Sequence, residues 1–159
     1  MRFLRTILVG FLVGALLSSS QMTAQTADKF FGTWKLNLAQ SKFSPGPGPK
    51  AITVTIEKAG SGFKLTATGT NGDGTPLNTS YTATYDGKDS PVTGSTDYDA
   101  VAVTMIDANT RHTVRKKAGK EVQTVHSVLS ADGKHYTSTT TGVNARGEKV
   151  ESVAVYDRQ

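Results

Sequence analysis

The chain has 159 residues, no cysteine and a formal charge of +5. Without thiols there is no disulfide framework, no lipid-modified N-terminal cysteine, no thiolate zinc site and no thiol catalysis, so stability rests on packing and hydrogen bonds. The length suits one domain with a single core and is too short for two.

The first stretch reads as an export leader. Arg2 and Arg5 precede an apolar run from Ile7 to Leu17, too short to cross a bilayer, and small and polar residues follow from Ser18 to Ala27. This divides the chain into a signal peptide over residues 1–27, cut somewhere between 20 and 27, and a domain over residues 28–159. The expected destination is periplasmic or secreted, with no stable membrane insertion after cleavage. Loss of Arg2 and Arg5 leaves 16 basic against 13 acidic residues, a charge of +3. Arg111, Arg115, Lys116, Lys117 and Lys120 form the one basic concentration. No aromatic is interleaved to stack on bases, so the group reads as a solvated hairpin and nucleic acid is not an expected partner.

Past Asp28 the sequence is rich in threonine, valine and tyrosine and is punctuated by glycine-containing turns at even intervals, the pattern of a β-meander. Ten strands are expected, beginning near Lys29, Ala51, Phe63, Asn78, Pro91, Ala100, Thr110, Glu121, His135 and Lys149. No window predicts a helix. Between the first two strands, Ser44-Pro45-Gly46-Pro47-Gly48-Pro49 lacks backbone donors at alternate positions and forms an extended connector. The first strand alternates Gly32, Trp34, Leu36 and Leu38 against Thr33, Lys35 and Asn37. The next two set Ile52, Val54 and Ile56 against Thr53 and Thr55, and Phe63, Leu65 and Ala67 against Lys64, Thr66 and Thr68. Asp73, Asp86, Asp107 and Asp132 fall in turns, where their carboxylates cap backbone amides. Gly69-Thr70-Asn71 with Gly74 recurs as Gly142-Val143-Asn144 with Gly147, a shared hairpin pattern. So many short sequential strands leave exposed edges unless the sheet closes. The expected fold is therefore all-β: a single antiparallel up-and-down barrel of 8–10 strands, lipocalin-like.

Phe30-Phe31-Gly32-Thr33-Trp34-Lys35-Leu36 resembles the first strand of the calycin superfamily, the lipocalins and fatty-acid-binding proteins, which opens with Gly-x-Trp. The resemblance implies a glycine bend at the closed end of the barrel and a tryptophan plugging it beneath a basic residue of the last strand. Gly32, Trp34 and Arg158 match these positions. Val155-Tyr156-Asp157 resembles the last strand of fatty-acid-binding proteins, where an arginine and a tyrosine grip the ligand carboxylate. Tyr156 matches the tyrosine, while Ala154 stands in the arginine's place. The Pro-Gly connector replaces that family's lid helices, which implies a more open mouth or a different ligand.

A three-residue loop at Lys117-Ala118-Gly119 would pair Val114 with Val122, His112 with Thr124 and Thr110 with His126. His112 and His126 then lie diagonally on one face, about 7–8 Å apart. His135 lies beyond the next turn, so the three ligands of a catalytic zinc site do not assemble and no metal is expected. Asp97-Tyr98-Asp99 lacks the glutamate of a calcium loop and the partner acid of a glycosidase. There is no Gly-x-Ser-x-Gly elbow and no phosphate-cradling glycine loop before a helix. The sequence therefore predicts no enzyme and no cofactor. It points to a barrel that binds a small hydrophobic or amphipathic molecule through Tyr81, His112, Thr124 and Tyr156. The alternative is a barrel that meets a protein partner, as an inhibitor or envelope accessory factor.

Overall fold

A computed structural model describes residues Asp28–Gln159, so the leader read at 1–27 lies outside the described residues. Ten strands follow one another: β1 Gly32–Lys42, β2 Ala51–Ala59, β3 Gly62–Thr70, β4 Pro76–Ala83, β5 Asp86–Thr93, β6 Ala100–Asp107, β7 Thr110–Lys117, β8 Lys120–Leu129, β9 His135–Val143 and β10 Lys149–Arg158. Each pairs antiparallel with the next, and β10 pairs back onto β1 to close the barrel. No helix occurs among the described residues. Closure leaves β1 and β10 without a free edge, because Trp34 to Asn37 ladder against Arg158 to Val155.

The start of β1 sits at the sealed end. The Trp34 indole is fully buried and donates from Nε1 to the Phe30 carbonyl at 2.8 Å. The Arg158 guanidinium lies 4.0 Å above the ring and donates to the carbonyls of Gly133, Phe31 and Lys29 at 2.7–2.8 Å. Gly32 has φ +132°, and a Cβ there would stand 2.8 Å from Arg158 Nη1, so no other residue fits beneath the guanidinium without displacing it. These contacts bring Gly32, Trp34 and Arg158 into one layer. Phe30, Phe63 and Tyr136 fill the space inside it.

The four turn aspartates cap amides two residues on: Asp73 accepts from Thr75 N at 2.9 Å, Asp86 from Lys88 N at 3.1 Å, Asp107 from Asn109 N at 2.8 Å and Asp132 from Lys134 N at 3.0 Å. The two similar turns share a geometry, with Asn71 N donating to Thr75 O and Asn144 N to Glu148 O. The Ser44–Pro49 connector lines the mouth, but in place of the extended run expected it bends over Ser44, Pro45 and Gly46 and has cis peptide bonds before Pro45 and Pro47. Glu151 N donates to Ser44 O and the following Lys50 N to Thr70 O, both at 2.9 Å.

Three expectations of facing and register need correction. The β1–β10 register jumps from Asn37↔Val155 to Lys42↔Val153, so Leu38 to Ser41 loop outward and Leu38 is 50 % exposed instead of inward. Ser41 Oγ stabilises this bulge by donating to Asn37 O and accepting from Val155 N. β5 begins at Asp86, ahead of the expected start near Pro91, and it pairs with β4 only at Ser80↔Thr93 and Tyr81↔Val92. The β7–β8 turn has two residues, Ala118 and Gly119, both with positive φ (49° and 76°). Val122 is an extra residue on β8 between the pairs Lys116↔Glu121 and Arg115↔Gln123. Gly142 accommodates this bulge, since a Cβ there would lie 2.1 Å from Val122 O. The resulting register sets His112 directly opposite His126, and Val114 opposite Thr124.

Two outcomes check this framework. Trp34→Ala should lower unfolding free energy by ~3–5 kcal/mol in urea titration, because it empties a fully packed site; an unchanged midpoint contradicts the plug. The four capping carboxylates have pKa values held below the ordinary aspartate value, chiefly by hydrogen bonds from Thr75, Thr84, Asn109 and Ser130 respectively. A depressed folded-state pKa adds stability above the unfolded value, lost as pH falls through the folded one. The melting temperature should therefore hold steady down to about pH 5 and drop below about pH 4. A flat profile through that lower range contradicts the caps.

Candidate functional site

A cavity of about 840 Å³ runs from the mouth to the aromatic layer at the sealed end. Strand alternation gives it two unlike walls. β2 and β3 contribute Ile52, Val54, Ile56, Leu65 and Ala67, and the opposite strands β7 to β9 contribute Thr113, Arg115, Gln123, Ser127, Ser138 and Thr140. The Ser127 and Ser138 hydroxyls meet at 2.7 Å across β8 and β9.

The two arginines of β7 face inward, not into solvent as the solvated-hairpin reading of the basic cluster held. Arg111 stands at the floor and is 5 % exposed, its guanidinium 4.1 Å from the Phe30 ring and 4.6 Å from that of Phe63. Its Nη2 donates to Asp28 Oδ2 at 2.6 Å and to the Tyr85 hydroxyl at 2.7 Å, and Tyr85 in turn donates to the same carboxylate. Asp28 thus comes from the segment ahead of β1 to neutralise a charge on the far side of the barrel. Tyr85 stacks on Phe63 with centroids 4.9 Å apart, and burial pushes its phenol pKa up.

Four residues up β7, Arg115 packs at 4.5 Å over the Tyr98 ring and donates from Nη1 to Gln123 Oε1 at 2.9 Å. Gln123 is buried and its own amide donates to Val143 O at 3.0 Å, which fixes the acceptor toward Arg115. No carboxylate among the described residues lies within ion-pair distance of Arg115.

Of the four residues expected to line the interior, Tyr81 and Tyr156 do so. Burial pushes both phenols up to about 12, so they stay neutral hydrogen-bonding groups at physiological pH. Tyr156 stacks on Tyr136 at 4.6 Å. His112 and Thr124 stand on the outer face, because inward positions on β7 are the odd-numbered Arg111, Thr113 and Arg115, and those on β8 are Gln123, Val125 and Ser127. The assumption that arginines belong in water assigned the strand's polar faces the wrong way round. Asp28, Tyr85, Tyr98, Arg111, Arg115 and Gln123 were missed on that account. The Arg-x-Thr-x-Arg spacing and the Ala118-Gly119 turn were the available signals. Asp97 and Asp99 serve the loops: Asp97 accepts from Ala145 N at 2.9 Å and Asp99 from Ala118 N at 3.1 Å. Among the described residues, no three His, Asp or Glu side chains converge as a metal site would require.

No protein-family model matches the sequence, and no curated protein matches it. Among solved structures, zebrafish ileal bile acid-binding protein complexed with cholic acid superposes with a TM-score of 0.52, covering 82 % of this chain and 99 % of that one at 14 % identity. The chain shares that protein's barrel fold. This barrel carries its polar groups on β7 to β9 and its apolar wall on β2 and β3, and its floor holds the Asp28–Arg111 pair.

Removing the anion of that pair strands a buried cation. Asp28→Asn should lower unfolding free energy by ~3–5 kcal/mol. Asp89→Asn, at the half-exposed partner of Lys116, should leave stability nearly unchanged. Equal midpoint shifts in urea for the two variants contradict the role given to the floor.

Proposed function

We propose that the barrel captures a small amphipathic acid, without catalysis, burying its apolar side on β2 and β3 and presenting its anionic group to Arg115. The observation that carries this reading is an interior guanidinium with a hydrogen-bonded side-chain acceptor but no carboxylate partner. Arg115 is half-buried on the cavity wall, where an anion would gain a charge-assisted hydrogen bond from its guanidinium. Tyr98 beneath the guanidinium and Gln123 beside it leave its remaining donors for an incoming group. The cavity volume falls in the range of pockets that enclose small organic ligands. Tyr81, Tyr156, Thr113, Ser138 and Thr140 supply neutral hydroxyls along the same interior, so a molecule with polar groups on one face and hydrocarbon on the other fits the two walls. The solved neighbour's complex with cholic acid, itself an amphipathic acid, supports the same class of ligand for this fold. The leader-like sequence at residues 1–27 supports action outside the cytoplasm, in the periplasm or the surrounding medium.

Calorimetric titration with dodecanoic acid and with dodecanol separates charge recognition from apolar burial. Arg115→Gln should weaken the acid by about tenfold or more, as expected for loss of a charge-assisted hydrogen bond, and leave the alcohol unchanged. Equal losses for both ligands, or none for the acid, contradict the assignment of Arg115.

A further inference from the structure

The outer side of β7 and β8 carries a pair of groups that the interior does not use. His112 stands opposite His126, and both face away from the cavity, which their neighbours Arg111, Thr113, Val125 and Ser127 line. Leu129 N donates to Asn109 O at 2.8 Å, and hydrogen-bonded pairs recur at every second residue of an antiparallel ladder. Arg111↔Ser127 and Thr113↔Val125 are therefore hydrogen-bonded pairs, and His112↔His126 between them is a non-hydrogen-bonded one. In such pairs the Cα atoms are about 4.5 Å apart and the side chains are at their closest. His126 is exposed and His112 half-buried. No hydrogen bond among the described residues holds either ring, whereas His135 is taken by Asp157 at 2.7 Å.

We propose that His112 and His126 form a surface chelate for a divalent transition cation, with copper(II) bound most tightly. Neutral imidazole suits copper, nickel and zinc, and copper(II) heads the order of affinity for such ligands. An ion about 2.0–2.1 Å from each nitrogen needs the two donors about 3 Å apart. A directly opposed pair, with Cβ atoms ~4.5–5.5 Å apart, allows this and is closer than the diagonal arrangement expected from the sequence. The flanking side chains carry no opposing charge. Thr104 on β6 stands opposite His112, and Thr139 on β9 opposite His126. The next residues on the same face of β7 and β8 are Thr110, Val114, Thr124 and Val128. The Asp107 carboxyl, held below the ordinary aspartate value chiefly by the Asn109 N–H, also feels the His126 ring, so the charge that reaches the pair is one that attracts a cation. Two protein ligands fall short of the three or more of a resident catalytic or structural centre, and no third converges among the described residues. Water or a small anion fills the remaining positions, which makes this a site that takes and releases its ion.

The test titrates copper(II) chloride into the wild-type protein by calorimetry and records the electron paramagnetic resonance spectrum of the equimolar sample. One ion per chain should bind, with a spectrum showing two imidazole nitrogens. His112→Asn and His126→Asn should each weaken binding about tenfold or more, because the second ligand no longer adds its effective concentration to the first. His135→Asn should leave the affinity unchanged. Since the two ligands come from different strands and meet only in the folded barrel, excess copper should also raise the wild-type melting temperature, and raise that of either variant far less. No binding, an affinity that survives both substitutions, or an equal loss in His135→Asn overturns the chelate. Arg115 takes no part in it, so the amphipathic-acid reading stands or falls separately. Should His112→Asn fail to fold, His126→Asn at the exposed position decides alone: a tenfold loss supports the chelate and an unchanged affinity overturns it.

Discussion

A guanidinium cannot be drawn into the end of a small barrel without an anion beside it, and the Asp28–Arg111 pair meets that condition here. The rest of the sealed end is arranged around it. Asp28 is placed by the turn that leads into β1, where its Oδ1 accepts from Phe30 N at 2.9 Å, and that turn sets the Phe30 ring over Arg111 and the Phe30 carbonyl against the Trp34 indole. Arg158 covers Trp34 from outside through three backbone carbonyls. Two arginines, one inside and one outside, thus clamp the aromatic layer, and the barrel keeps one closed end and one mouth.

Closure at one end makes the difference between the two walls matter. On β2 and β3 the inward positions are aliphatic apart from Phe63 at the floor, and on β7 to β9 most of them carry a hydroxyl, an amide or a cation. Such a lining resists collapse into a dry core, because hydroxyls and cations away from water need partners. Some partners are internal, as with Ser127 and Ser138 or Gln123 with Val143. Arg115 has an acceptor in Gln123 but no carboxylate within ion-pair distance among the described residues, and it marks where the interior is chemically incomplete.

The strand count, the absence of helix among the described residues, barrel closure and the early inward residues were legible in the sequence because each rests on a local signal: turn residues at even spacing and strict alternation in β1 to β3. The Gly32–Trp34–Arg158 layer followed from a resemblance at the two chain ends. Facing in β7 and β8 was not legible in the same way. Both sides of β7 are polar, so alternation alone does not say which is inside, and a bulge at Val122 shifts β8 by one residue against a simple hairpin count. Once His112 and Thr124 were placed inside, the arginines were placed outside. Leu38 fails for a related reason, since a bulge closed by the Ser41 hydroxyl reverses its facing while the hydrophobic pattern runs on unbroken. Asp28 reaches Arg111 across 83 residues of sequence, a pairing that only the closed barrel produces.

The most direct measurement is native mass spectrometry of the protein purified gently from its own source, before and after extraction with organic solvent. An interior built around an unanswered cation should carry a removable adduct of small-molecule mass whose released component is anionic. Bare protein mass in repeated preparations would contradict a barrel made to hold such a molecule.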